Sequence, residues 1–592
     1  MFNNSSHIDA SHSAFTEVHQ SQYNNVDGMI VQGNQTTYTV VHGNQIIRLT
    51  GEGYSGLGAL HKASTTNAAF DSAQRFPAPS CLPGTRVEIL NLISSWVNDD
   101  GPHSICWLNG LAGSGKSAIA QTIAEMYAAE HRLVASFFFS RREIERSTTQ
   151  RFIPTIATHF MAFSPSLKPA IIRALEEDFT IPTKVLREQM MKLLFEPFVS
   201  LSAQMTQTES STQIKTSPPV LMVIDSLDEC DNERLVSEII SLIPQLIQEC
   251  PFPLKVLLTS RPEPHLKAAF RTSEILSVTR SLELRSFDAE TDIRLFLRKS
   301  FTMIRDQRQS TLFGNSGPWP SESELEALVQ KASGLFIYAT TTINFIGNKH
   351  RDPRKQLVII LSNIEGSDSG FADLDTLYRD VISVPLNADL TRLILGIIRY
   401  TSVPLSIQGM DSLLEAGELN VNRDVGSLVQ ELSSVLLVPD HYTEPVGIYH
   451  TSFRDFLSSP ERAKEYFVDA VVYHRLIAEL CLKVMNASLK RDICGLGDSY
   501  GLNSNIEDLP GRCSKHMTEA LRYSCCYWAY HLARVPHDAE GKLNARLTAA
   551  LHELIGVKLL YWLEGLSLLG SFDGAVTMLQ DAAAWLKVRV SG

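Results

Sequence analysis

The sequence predicts an α/β fold, a parallel sheet with helices on both faces, followed by a largely helical remainder, and three observations predict it. Between Ile105 and about Leu284, five short apolar runs alternate with helical stretches: Ile105–Leu108, Leu133–Phe139, Val220–Ile224, Lys255–Thr259 and Ser281–Leu284. Continuous apolar strands separated by helices are the pattern of a parallel sheet buried on both sides. A glycine-rich turn, Gly110-Leu-Ala-Gly-Ser-Gly-Lys116-Ser117, joins the first run to a helical stretch. After about residue 285 the hydrophobic period turns helical.

The chain has 592 residues, enough for several domains, each with its own core. Residues 1–60 form a polar segment rich in Asn, Gln, Ser, His, Thr and Gly, in which Gly33-Asn-Gln-Thr-Thr recurs loosely as Gly43-Asn-Gln-Ile-Ile. Such a segment is expected to be disordered, to be prone to β-stacking between chains in an amyloid-like way, or to form a local hairpin. Residues 61–103 are a helical lead-in: the proline-rich joint Phe76–Arg86, then the stripe Val87, Leu90, Ile93, Val97. Residues 104–284 are the α/β core, interrupted by a polar insert from Ser202 to Pro219 that reads as a solvated loop. Residues 285–383 read as helical, with a loop at Gly314–Pro320. Weak strand signal returns at Ser434–Val438 and Val446–Tyr449. Residues 468–592 are helical again, with Trp528, Trp562 and Trp585 among apolar positions and no repeat of solenoid length.

Composition narrows the function. A formal net charge of −12 argues against a general affinity for nucleic acid or anionic membrane. The nine cysteines form neither a CxxC pair nor zinc-finger spacing, and Cys525-Cys526 reads as part of a helix. The first 47 residues lack Lys and Arg, so neither a secretory nor a mitochondrial leader fits. The uncharged stretch Ala332–Asn348 carries too many Thr, Asn and Gly residues for a membrane span. The expected location is the cytoplasm.

The turn at 110–117 satisfies GxxxxGK[ST] in the strand-then-helix context of a P-loop NTPase. Gly110, Gly113 and Gly115 let the backbone curl so that N–H groups, including those of Ser114 and Ala118, face one phosphate. Lys116 would reach the β- and γ-phosphates of ATP, and the Ser117 hydroxyl would bind Mg²⁺. Asp225 closes the third apolar run, at the sheet edge where ligands bind, and would hold Mg²⁺. Asp228 and Glu229 follow three and four residues on, and either would serve as the base for a water or as a cap for the helix of 232–247. Arg261, after the fourth run, would sense the γ-phosphate or simply cap the sheet.

Taken together, these motifs resemble the NACHT family of signal-transduction ATPases (the STAND class, similar to NOD-like receptors). The phrases Gly110–Ser117, Ile224-Asp-Ser-Leu-Asp-Glu-Cys, Thr259-Ser-Arg-Pro-Glu-Pro and Cys81-Leu-Pro-Gly-Thr-Arg86 look most like its fungal, nephrocystin-like branch. The resemblance covers roughly residues 65–535. It implies that Arg86 belongs to the nucleotide site and that residues 384–467 form a winged-helix domain. It also implies that His450, in Ile448-Tyr-His450-Thr-Ser-Phe453, reaches back to a bound diphosphate. Ser333–Ala339 corresponds to the family's segment near the adenine, with Phe336 standing where relatives carry proline. The resemblance implies a switch, closed with ADP, opened by ATP, hydrolysing slowly and self-associating into oligomers when ATP-bound. Such a switch would act in fungal self/non-self recognition or programmed cell death. Residues 1–60 would recruit a downstream effector. Two other readings compete: a non-hydrolysing nucleotide-bound scaffold, and an ATP-driven nucleic-acid machine, which the acidic charge disfavours.

Overall fold

The computed structural model describes residues 28–32, 35–42, 45–75, 78–141, 144–207, 218–308, 319–349, 351–362, 370–385, 387–417, 425–439, 441–497, 503, 506–536 and 544–587. The chain divides into two compact units at Phe287 and Asp288.

The first unit begins with an antiparallel meander, β1 (Gly28–Gln32), β2 (Gln35–His42) and β3 (Gln45–Thr50). Its register, Gly28 opposite Thr39 and Thr39 opposite Arg48, pairs these strands within one chain. Of the three expectations for this segment, disorder, interchain stacking or a local hairpin, these strands agree with the local pairing; residues 1–27, 33–34 and 43–44 lie outside the described residues. Helix α1 (Gly51–Ala63) follows directly.

The main sheet holds β4 (Ile105–Asn109), β5 (Leu133–Phe138), β6 (Val220–Asp225), β7 (Leu254–Ser260) and β8 (Thr279–Glu283), in the order β5-β6-β7-β4-β8. All four pairings are parallel. This is the parallel α/β sheet that the five apolar runs predict. Successive strand residues point to opposite faces, and both faces are covered. Cys106, Leu108, Val223 and Leu257 pack with Ile89, Ile93 and Trp96 of α2 (Val87–Val97) and Ile119 and Ile123 of α3 (Lys116–Ala129). Ile105, Trp107, Ile224 and Leu258 pack with Ile153, Ile156 and Phe160 of α4 (Phe152–Phe163) and Ile239 and Ile243 of α5 (Glu233–Glu249).

Two sequence expectations shift. The buried stripe of α2 is Ile89, Ile93, Trp96 and Val97, whereas Val87 is 50% exposed at the helix start. The insert expected as loop from Ser202 is helical through Gln207, and 208–217 lie outside the described residues.

Among its described residues the second unit is built of helices, with one antiparallel strand pair, β9 (Leu436–Leu437) and β10 (Gly447–Ile448). The helices of Glu290–Arg308, Glu322–Ala332, Phe336–Ile346 and Gly370–Ile382 form one succession. The helices of Ala388–Tyr400, Ile407–Glu415 and Val425–Glu431 precede the strand pair, and Ser406 is bridged to Pro445. Further on, Trp528, Trp562 and Trp585 are core residues, and the Trp562 and Trp585 indole N–H groups donate to Cys525 O at 3.0 Å and Val535 O at 2.8 Å. No helix among the described residues is long and apolar enough to cross a membrane.

The contact of Gly396 with Tyr473 sets a stability prediction. A Cβ on Gly396 would lie 2.0 Å from Tyr473 Cε1. Alanine favours a helix over glycine by about 1 kcal/mol, but overpacking a filled core costs about 1–3 kcal/mol or more. Gly396→Ala is therefore expected to destabilise the second unit, read as a lower urea midpoint. An unchanged or higher midpoint would show that the Tyr473 ring moves aside freely.

Candidate functional site

The site is built at the carboxyl edge of the parallel sheet, where the strand order brings three loops together. Strand β7 lies between β4 and β6, so Asn109, which precedes the P-loop, stands opposite Ser260, and Ile224 stands opposite Leu258. Gly110, Arg261 and Asp225 therefore leave adjacent strands at nearly the same level, and Gly110 N–H donates to Ser260 O at 3.3 Å.

The loop 110–117 needs glycine where it turns. Gly113 and Gly115 have φ of 75° and 98°, the region open to glycine at little cost. Gly110 is constrained by space, since a Cβ there would lie 3.0 Å from both Leu284 Cβ and Ser114 Oγ. Helix α3 opens at Lys116, directing its N-terminal N–H groups into the loop. Lys116 is only 8% exposed, and its Nζ donates to Gly110 O at 2.8 Å and Leu111 O at 2.9 Å. Burial pushes the Lys116 pKa below the usual lysine value; the carboxylates of Asp228, Asp225 and Glu229 oppose this and Arg261 adds to it. Ser114 Oγ donates to Leu111 O at 2.8 Å, and Arg86, buried in a left-handed conformation with φ of 56°, donates from Nη2 to Ser114 O at 2.8 Å. Arg86 thus braces the loop from behind through its backbone.

Across from the loop, Ser117 Oγ lies 3.3 Å from Ser226 Oγ, which donates to Asp225 Oδ2 at 2.9 Å. Thr259 Oγ1 donates to Asp225 Oδ1 at 2.5 Å and accepts from Ser226 N–H at 3.0 Å. Ser117 and Asp225 present a hydroxyl and a carboxylate, hard oxygen donors of the kind Mg²⁺ prefers, so this set fits the metal that a bound nucleoside triphosphate carries. Ala118 is in the first turn of α3 and half-buried.

The acidic pair occupies a single 3₁₀ turn, Leu227–Glu229, entered through Ser226 at φ of 58°. The two acids are held differently. Asp228 is 3% exposed; its Oδ1 accepts the Arg261 backbone N–H at 2.8 Å and its Oδ2 pairs with Arg261 Nε at 3.1 Å. Glu229 is partly exposed, and its Oε2 accepts the Arg141 backbone N–H at 3.2 Å. The Arg141 guanidinium also donates to Asp228 O. Neither acid caps the following helix: Asn232 does, its side chain accepting from Leu235 N–H at 3.1 Å.

Sequence reasoning did not single out Thr259, Ser226 or Arg141. Thr259 ends one legible apolar run and Arg141 lies two residues past another, but their partners depend on strand order, which periodicity does not give.

In the second unit, His450 is the N-cap of the helix Thr451–Leu457. Its Nδ1 accepts the Ser452 backbone N–H at 3.1 Å, so the hydrogen of the neutral ring is on Nε2. Ser452 Oγ lies 2.7 Å from the same nitrogen and 2.8 Å from the Tyr378 hydroxyl. Ser333 and Gly334 have positive φ, 43° and 78°, at the turn before the helix that starts at Phe336.

Residues 84–261 match the family described as nephrocystin 3, N-terminal. They run from the turn before α2 to Arg261 and contain each candidate residue of the first unit. The chain is 23% identical over 526 residues to the vegetative incompatibility protein HET-E-1 of Podospora anserina, covering 84% of this chain and 35% of that protein. It thus spans about a third of that relative's length. Both findings support a fungal NACHT-like protein. Similar solved structures include the Aeropyrum pernix ORC1 protein in complex with DNA, 14% identical, with a TM-score of 0.30 over 68% of this chain and 94% of that one. Another is Cdc6p from Pyrobaculum aerophilum, 14% identical, with a TM-score of 0.25 over 68% of this chain and 96% of that one.

Proposed function

We propose that this chain is a nucleotide-controlled signalling switch of the NACHT type, binding ATP or ADP with Mg²⁺ and hydrolysing ATP slowly. The observation that carries the reading is the loop 110–117 with Lys116 folded onto its own carbonyls, beside the Ser117–Ser226–Asp225 chain of oxygen donors. A phosphate would offer this buried ammonium anionic oxygens, which form stronger bonds than the two neutral carbonyls it holds. Backbone N–H groups of Gly113–Ala118 would hold the β-phosphate, and Ser117 with Asp225 the Mg²⁺, which offsets charge on the phosphates. Arg261 would read the terminal phosphate from the edge of β7. Arg86 would act through the loop it braces, by its bond to Ser114 O.

The remaining parts of the reading have their own support. Three helices followed by a short strand pair, with Ser406 bridged to Pro445, is the element order of a winged helix over 384–467. His450, set as an Nε2–H donor, suits a contact with an anionic diphosphate that would hold the closed state. Exchange of ADP for ATP would release it, and the opened chains would self-associate, as population-shift switches do. The domain limits 1–60, 61–103, 104–284, 285–383, 384–467 and 468–592, the recruitment of an effector through 1–60 and a cytoplasmic location belong to the same proposal.

The test is to denature the purified protein, identify released nucleotide by chromatography, and repeat with His450→Ala. The expected result is ADP at about one per chain, dissociating faster from the variant by about tenfold, the worth of one charge-assisted hydrogen bond. No nucleotide in the wild type, even after incubation with Mg-ATP, overturns the switch. ADP that never exchanges, with zero turnover, favours the scaffold.

A further inference from the structure

We infer that Cys494 and Cys513 form a dithiol site for peroxides: two sulfurs in contact that close into a disulfide when the turn carrying Cys494 opens. The inference stands apart from the nucleotide reading, since neither residue belongs to that site.

The nine cysteines are free thiols. Cys494 Sγ and Cys513 Sγ lie 3.9 Å apart although the residues are 19 positions apart in the chain, and the two residues are 1% and 5% exposed. Bridging needs the sulfurs brought from contact to about 2.05 Å, a shift that side-chain rotation and small backbone movement cover. Three elements set the contact. Cys494 lies in a tight turn of 492–497, in which Asp492 accepts the Leu496 N–H at Oδ1 and the Gly497 N–H at Oδ2, at 2.6 and 3.1 Å. Gly495 and Gly497 take φ of 63° and 74° there. Cys513 lies in the helix Leu509–His516, from which Arg512 reaches Gly495 O at 3.5 Å. Both are anchored on the helix Leu559–Leu568: Glu564 accepts the Asp492 and Ile493 N–H groups at 3.3 Å each, and Leu568 O accepts the Cys513 thiol at 3.7 Å. Buried cysteines also serve as small apolar packing groups, but here one helix holds both backbones and gives the two sulfurs a common frame.

The thiolate is the reacting form. Burial, and after it the Cys513 sulfur, push the Cys494 thiol up, so the closed turn protects it. Oxidation then proceeds through local opening of the turn. The Cys494 thiolate attacks one peroxide oxygen, the O–O bond breaks, and the departing oxygen takes a proton and leaves as water or an alcohol. The sulfenic acid so formed returns to the contact. The Cys513 thiol gives up its proton, its sulfur bonds the Cys494 sulfur, and the S–O bond breaks with loss of water. Two thiols are oxidised by two electrons, and one peroxide is reduced. A dithiol reductant reverses the change.

The test treats the full chain with hydrogen peroxide in native buffer, blocks the remaining thiols with iodoacetamide and digests with trypsin. Cleavage after Arg491, Arg512 and Lys515 leaves the two cysteines on separate peptides, 492–512 and 513–515. A single mass that joins them, split by dithiothreitol, is the expected result, absent from Cys494→Ser and from Cys513→Ser. Glu564→Gln replaces a carboxylate acceptor by a weaker neutral one and is expected to speed formation of the link by about threefold to tenfold. The bridge is expected to lower the unfolding constant of the second unit on the order of 100-fold, for a loop of this length, until dithiothreitol restores it. Peptides 492–512 and 513–515 recovered unlinked, whether alkylated or carrying sulfinic acid, overturn the inference and leave the pair as packing. A link that forms only in urea strong enough to unfold the second unit overturns it as well, because the folded contact then plays no part. A Glu564→Gln chain that oxidises no faster than wild type overturns the turn as the gate.

Discussion

Lys116→Ala is expected to weaken Mg-ATP binding by about 100-fold, corresponding to charge-assisted hydrogen bonds worth about 1.5–3 kcal/mol. Two effects combine. The variant loses the bonds Nζ would make to phosphate oxygens in place of those to Gly110 O and Leu111 O. It also leaves the carboxylates of Asp225, Asp228 and Glu229, which act on the Lys116 ammonium, facing an incoming polyanion without that counter-charge. The nucleotide-free protein is expected to keep its thermal midpoint within a few degrees, since burying an ammonium opposes the two bonds it forms. Titration calorimetry and thermal unfolding on one preparation read both quantities. Binding within threefold of wild type would remove Lys116 from the phosphate site. A lost midpoint together with lost binding would make it a structural residue of the loop.

The five strands were legible because a parallel sheet buried on both faces demands continuous apolar runs, and Ile105–Asn109 and Val220–Asp225 are buried throughout. What the runs did not disclose is their lateral order. Placing β7 between β4 and β6 puts Thr259 on Asp225 and Ser260 on Gly110, and no local period encodes that adjacency. The P-loop was legible because its function rests on backbone curvature, which demands glycine at Gly113 and Gly115. The environment of the acidic pair was not, since Asp228 and Glu229 are adjacent in sequence and differ only in what folds against them. The capping alternative failed because Asn232, nearer the helix of Glu233–Glu249, has the shorter reach to Leu235 N–H. In the second unit β9 and β10 are two residues each, too short for alternation to show, and the weak signal overran them on both sides.

Acid is expected to unfold the second unit well before its carboxylates would require, because two buried histidines there cannot take a proton. The Ser402 backbone N–H donates to the Tyr523 hydroxyl at 3.0 Å, and the Tyr523 hydrogen therefore points to His531 Nε2 at 2.6 Å. His531 then carries its hydrogen on Nδ1 and donates it to His474 Nδ1 at 2.9 Å, so both rings are neutral. A further proton on Nδ1 of His474 or Nε2 of His531 sets donor against donor. Burial holds the His474 pKa down at about 4, with Arg534 and Arg399 adding to the effect. Burial, His474 and Arg534 hold His531 well below the usual histidine value. The sign follows from linkage: the unfolded rings bind protons from about pH 6.5 downward and the native rings do not, so this stability is complete above that pH. It is lost as pH falls from about 6.5 to 4, by roughly 2–3 kcal/mol for His474 alone, taking 1.36 kcal/mol per pKa unit and allowing for partial solvation. Urea titrations followed by the fluorescence of the buried Trp528, Trp562 and Trp585 would measure the slope. His474→Asn is expected to flatten the slope over that range and to lower stability at pH 7, where His531 Nδ1–H loses its acceptor. Stability in the wild type that stays level from pH 7 to 4.5 would mean that the rings accept protons in place, and the directional chain from Ser402 to His474 would be wrong.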